Sequence, residues 1–209
     1  MHKNPWLENS ANNIIPLSKA DDFKNALKEW EFTGNVIDHE EPTEICELCE
    51  HEELRYHYEI ENIHNENHLW VGSSCILRFD DIIIYDFEGI QLVDKTERKR
   101  ELDKALKEKQ IDLVLKSLRK LWQKDKEYRK YIEKNVEHLE QKNAFLPKGL
   151  AIMCARMKTY KIEFKYSMFP VYLRTDESKE QLYDLEPNLL QHVIKCMSSE
   201  QRKNFIDIE

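Results

Sequence analysis

The chain is 209 residues long, with 41% apolar and 34% charged residues, four glycines and six prolines. Such a composition buries a real core in one large domain or two small ones, favours helix, and excludes collagen-like, linker-like and low-complexity classes. The net charge of −8 hides an asymmetry: residues 1 to 93 carry 6 basic against 20 acidic side chains, residues 94 to 166 carry 21 against 12, and residues 167 to 209 carry 5 against 8.

In chain order, the first 15 residues lack an apolar stretch followed by a small-residue cleavage site, so no secretory signal is expected. Residues 18 to 30 predict a short amphipathic helix, with Ser18 as a cap and Phe23, Ala26, Leu27 and Trp30 on one face. Residues 31 to 44 read as a loop with at most one strand. Leu54, Tyr56, Tyr58 and Ile60 alternate with polar residues, which predicts a half-buried strand that turns at 62–68 and pairs back over 69–72. A brief helix follows from Cys75 to Phe79. A second hairpin is expected between Ile82–Tyr85 and Ile90–Val93, with Gly89 supplying a positive φ in its turn.

From 97 to 141 apolar residues recur every three or four positions, predicting two or three helices broken near Gln110 and Asp125. Pro147 opens another helix. Ile162, Phe164 and Tyr166 alternate like a strand. A loop, a helix over 187–197 and a terminal helix with Ser198 and Gln201 at capping-box spacing complete the chain. These elements predict an α+β protein in three parts: an N-terminal helical segment (1–30), a small treble-clef-like zinc module with β-hairpins (31–93), and a mainly α-helical module (94–209) with a short strand near 161–166. The longest apolar run, Ile82-Ile83-Ile84-Tyr85, is far shorter than the roughly 20 residues of a membrane span, so no membrane contact is expected.

Five cysteines is an odd number, and three of them fall within 30 residues, a pattern that suits metal better than disulfides. Cys46-Glu47-Leu48-Cys49 has the spacing with which a tight turn aims two sulfurs at one metal, and Cys75, returned by a hairpin to a helix start, supplies a third ligand. The positive end of that helix favours the Cys75 thiolate. The fourth ligand of a structural Zn2+ site is His57, on the polar side of the strand, or its rival His51, just past the knuckle. Ser73, at a position where cysteine would ligate, keeps a metal-free fold open, as does a thiol redox pair. Cys154 and Cys196, each alone in a helical pattern, read as small buried apolar residues.

The strings Cys46-Glu-Leu-Cys49, Tyr58-Glu-Ile-Glu-Asn62 and Trp70-Val-Gly-Ser-Ser-Cys75-Ile-Leu-Arg-Phe79 resemble a zinc-finger motif of phage and bacterial accessory proteins. The resemblance covers about a quarter of the chain. It implies a treble-clef-like zinc fold and a cytoplasmic location in a bacterial host cell, and leaves activity open, since such folds serve nucleic-acid binding, protein docking and scaffolding alike.

Residues 95 to 134 hold fifteen cations interleaved with eight acids. Lys116, Arg119, Lys120 and Lys124 are the candidate phosphate contacts, with Trp122, Tyr128 and Tyr131 as stacking surface. Against this stands the bland reading: a solvated helix face with core aromatics. No GxxxxGK, GxSxG, HExxH or GxGxxG string occurs, and no nucleophile has an adjacent base, so neither catalysis nor a small-molecule substrate is expected. Two roles compete. One is a non-enzymatic accessory protein that binds nucleic acid through basic helices. The other is an inhibitor or adaptor of anti-defence type, whose acidic head occupies a basic channel of a host nuclease or defence complex.

Overall fold

The computed structural model describes residues 5–205, so the first four residues of the N-terminal reading lie outside it. The protein is α+β: one three-stranded antiparallel sheet and nine helices among the described residues. It divides into two compact units, residues 1–109 and 110–209, each with its own apolar core. The division falls within a helix, and Ile14, Ala26, Leu27 and Trp30 belong to the first core.

Unit 1 opens with α1 (Pro5–Ile14) and the one-turn α2 (Phe23–Leu27), capped by Asp22, whose carboxylate accepts from Asn25 N–H at 3.0 Å. The helix expected over 18–30 is therefore mostly absent. Ser18 instead accepts from Trp30 Nε1 at 2.9 Å, and Trp30 starts a strand. Strand β1 (Trp30–Asp38) pairs with β2 (Tyr56–Asn62), which pairs with β3 (His68–Val71), giving the order β1-β2-β3. Between Phe32↔Ile60 and Val36↔Tyr58 the first strand carries two extra residues, with Gly34 at φ +86. An even insertion preserves the period of two, so Trp30, Phe32 and Val36 all stay on the buried face.

The second hairpin forms only as a loop closed by a Tyr85↔Gln91 bridge, because residues 82–84 are drawn elsewhere. Ile83 exchanges backbone bonds with Trp30 and Phe32, covering the free edge of β1. Helix α3 (Ser73–Arg78) follows the sheet, and α4 (Lys95–Lys124) runs through Gln110 without the expected break. Leu102 and Ala105 of α4 join the first core. Arg98 enters it too. Its guanidinium, 1% exposed, donates to the carbonyls of Ile76 and Ile82 at 2.8 Å, Phe79 at 3.2 Å and Leu92 at 3.4 Å. Ile76 and Phe79 lie at the end of α3, where carbonyls have no intrahelical donor, so the arginine serves as that helix's C-terminal cap.

In unit 2 the chain does break at Asp125, followed by a 3-10 turn and α5 (Arg129–Lys142). The Asp125 carboxylate accepts from Arg156 of α6 (Pro147–Thr159), which ties the break down. Leu150, Ala151, Met153, Cys154 and Met157 are all buried, so α6 is the central helix of the unit. Gly149 lets α6 approach α5: a Cβ there would lie 1.8 Å from Asn135 Oδ1. The expected strand at 162–166 is extended chain without a sheet partner, ending in a 3-10 turn over Tyr166–Met168. Helices α7 (Asp176–Tyr183), α8 (Pro187–Cys196) and α9 (Ser199–Phe205) close the unit. The Ser198/Gln201 capping box forms in both directions at 3.1 Å, as its spacing predicts. Cys154 and Cys196 are buried as expected but are not solitary: their thiols share a hydrogen bond, which with burial pushes the Cys154 thiol up. Among the described residues no helix is long and apolar enough to cross a membrane.

Candidate metal centre and basic helix face

Cys46 and Cys49 sit on a turn that closes on itself. Cys46 N–H donates to His51 O at 2.9 Å, Glu50 N–H returns to Cys46 O at 2.8 Å, and Glu50 takes the left-handed φ of 61° that reverses the chain. Helix α1 clasps the turn from outside, Asn13 Nδ2 donating to Leu48 O and Asn9 to the Glu50 carboxylate. Gly72, at the end of the β2–β3 hairpin, places Cys75 in the first turn of α3. The three sulfurs end within 4.8 Å of one another, all buried, with Cys46 to Cys75 at 3.7 Å and Cys75 to Cys49 at 3.2 Å. Those separations are far beyond an S–S bond, and every cysteine is free. The cluster can hold a metal ion, and three soft thiolates suit a soft or borderline one.

The electrostatics differ from the expectation that Cys75 carries the thiolate. A hydrogen bond from Cys75, joined by backbone N–H groups of Gly72, Cys49 and Leu48, outweighs burial and pulls the Cys46 thiol down to about 5. Cys75, as the donor to Cys46 and in a buried position, is pushed up, and Cys49 is raised chiefly by burial. Metal binding would release the protons that these thiols still hold.

His57 does not join the cluster. It is 6% exposed and both ring nitrogens are engaged, Nε2 with Ile45 O at 3.1 Å and Nδ1 with His39 Nε2 at 3.2 Å. A carbonyl only accepts, so Nε2 carries the proton and the Nδ1 lone pair is taken by His39. His57 thus steadies the residue before Cys46 rather than facing a metal. His51 is placed differently: exposed, it lines a cavity of about 200 Å³ together with Cys46, Cys49, Cys75, Ser74 and Arg78. Trp6, which sequence reasoning passed over, closes that cavity, with Arg78 over its ring at 4.1 Å and Phe79 stacked at 4.8 Å.

On α4, Lys116, Arg119, Lys120 and Lys124 are all exposed. Their interleaved acids do not neutralise them: among the described residues the ion pair within α4 is Lys104–Glu101, well upstream. The expected stacking aromatics are half-buried. Trp122 has Arg129 over its ring at 4.0 Å and donates to Glu133, while Tyr128 lies beneath Arg156 at 3.6 Å and meets Tyr131 edge-on. Lys161, unremarked in the sequence, stands beside Lys120 and Lys124. No family model, no curated protein and no solved structure matches the chain.

Proposed function

We propose that the chain is a non-enzymatic, nucleic-acid-binding accessory protein of phage or mobile-element type, acting in a bacterial cytoplasm. Its first unit is a treble-clef-like finger built around structural zinc. The observation that carries the binding reading is the second half of α4, where Lys116, Arg119 and Lys120 are exposed and free of carboxylate partners among the described residues. Unpaired cations at one-turn spacing offer a phosphate backbone the counterion release that drives such binding. Contacts are chiefly to the backbone, since arginines lie over one face each of Trp122 and Tyr128.

The zinc reading is supported by the sulfur spacing. Zinc–sulfur bonds of about 2.3 Å set tetrahedral sulfurs about 3.8 Å apart; Cys46 and Cys75 stand at 3.7 Å, and Cys75 and Cys49, at 3.2 Å, would open by about half an ångström around the ion. His51 completes the site. Its backbone is held by both knuckle cysteines, its carbonyl accepting from Cys46 N–H and its N–H donating to Cys49 sulfur, and its side chain lines the same cavity as the three sulfurs.

The test is binding of labelled single- and double-stranded DNA and RNA by fluorescence anisotropy between about 50 and 200 mM salt. Wild type should bind with steep salt dependence, and a Lys116→Glu, Arg119→Glu, Lys120→Glu variant should not. Absence of wild-type binding at the low-salt end ends this reading. It would favour a second, carried by the 20 acids against 6 cations of residues 1 to 93: an inhibitor or adaptor whose acidic head competes with DNA for a basic protein channel.

A further inference from the structure

Lys161 occupies a backbone position that lysine does not favour. It follows α6 at φ 52°, where its N–H bonds Lys158 O at 3.1 Å and the next N–H, of Ile162, bonds Met157 O at 2.9 Å. That pair of bonds is the left-handed helix stop in which glycine is the usual residue, because a Cβ there is strained. The buried Ile162 supplies the apolar contact that accompanies such a stop. Nothing in the stop requires a lysine side chain, as Asn143, in the same left-handed conformation at the end of α5, shows.

The strained lysine borders a concavity of about 240 Å³ lined by Lys120, Gln123, Lys124, Lys161, Ile162 and Glu163. Lys124 is drawn into it by a 3.2 Å bond from Nζ to Tyr160 O, at the carbonyl end of α6. Lys120 and Lys124 are one turn apart on α4. Three lysines and Gln123 thus line one concavity, and Glu163, in the same lining, forms no ion pair with any of them among the described residues. Three like charges outnumber the one carboxylate of the lining, so the concavity keeps a net positive charge that favours an anion.

We propose that this concavity binds a backbone phosphate of the nucleic acid, with Lys161 as a contact that α4 alone does not provide. The proposal rests on the nucleic-acid reading above and extends the contact surface from one helix to the α6 turn. Lysine is suited to the task as a mobile point charge with three donors.

The informative variant is Lys161→Gly, which removes the charge and relieves the backbone. It should melt no lower than wild type, bind a labelled 20-base-pair duplex several-fold more weakly at about 100 mM salt, and show a log K against log salt slope shallower by about 0.9, one phosphate contact. Lys120→Ala should repeat the loss of slope. If wild type binds the duplex and Lys161→Gly has the same affinity and slope, the site is refuted and the α4 reading stands. If wild type binds no nucleic acid, calorimetry with inorganic pyrophosphate decides. Binding lost in Lys161→Gly keeps a phosphate site without the nucleic-acid function, and no binding removes both.

Discussion

Replacing Arg98 with methionine keeps most of the stem and removes every donor. Ile76 O and Ile82 O, each bonded at 2.8 Å, would then be buried without a charged partner, while the bonds to Phe79 O at 3.2 Å and Leu92 O at 3.4 Å are weaker. Phe79 O keeps a second donor in Ile82 N–H. Two buried carbonyls stripped of their donors cost about 1–3 kcal/mol each, so roughly 2–6 kcal/mol in all. Against this, the guanidinium is buried with no carboxylate bonded to it, Nε lacks a partner, and burial pulls its pKa down. Removing a buried charge recovers part of that desolvation, which leaves a net loss of about 2–4 kcal/mol. The measurement is urea unfolding followed by tryptophan fluorescence in a Trp122→Phe background, so that Trp6, Trp30 and Trp70, all in unit 1, report alone. At m of about 2 kcal/mol/M the midpoint should fall by roughly 1–2 M. A midpoint within 0.2 M of the parent, on the order of 0.5 kcal/mol, would show that solvent or backbone rearrangement satisfies those carbonyls.

The metal reading predicts one equivalent of zinc by elemental analysis, lost together with thermal stability in Cys49→Ser; a metal-free wild type of full stability refutes it. In the cobalt-substituted protein, His51→Ala should shift the visible absorption bands, and His57→Ala should lower stability while leaving those bands in place. Glu29 accepts from Lys19 N–H at 2.7 Å, Ala20 N–H at 2.8 Å and Asn62 Nδ2 at 3.0 Å, bonds that outweigh burial and hold its carboxyl below the usual range. A depressed folded pKa gives stability that is present at neutral pH and lost as pH falls through that folded value. Wild type should therefore weaken below about pH 5, and Glu29→Gln, already about 1–3 kcal/mol less stable at pH 7, should weaken less over the same range. Equal pH slopes would exclude Glu29 as the titrating group. Gly149→Ala drives a methyl into Asn135 and should cost unit 2 about 1–3 kcal/mol, with partial recovery in Gly149→Ala/Asn135→Ala; an unchanged melt in the single variant contradicts the close approach of α5 and α6.

Features set by neighbours in the chain were legible in the sequence: the Cys46/Cys49 turn, the return of the hairpin to Cys75, the Ser198/Gln201 box, the break at Asp125 and the starts of α6 and α8. Their physics is short-range, since a few neighbouring residues, two within the knuckle and five in the hairpin turn, fix which groups can meet. The sequence also placed the cation-rich stretch on helices, because a one-turn repeat needs no partner to define a face, although it divided at Gln110 what is one helix over 95–124. What it could not decide depended on groups far apart in the chain. Residues 30–38 became a strand because Asn62 to Tyr56 and Ile83 lie alongside to accept their hydrogen bonds, overriding the helical periodicity up to Trp30. His57 looked as able a ligand as His51 until His39, 18 residues away, took its lone pair. Arg98 read as one more surface cation until four carbonyls of the preceding segment closed around it. Lys161 acquired its meaning from Lys120 and Lys124, some forty residues upstream, which only the folded chain brings to the same concavity.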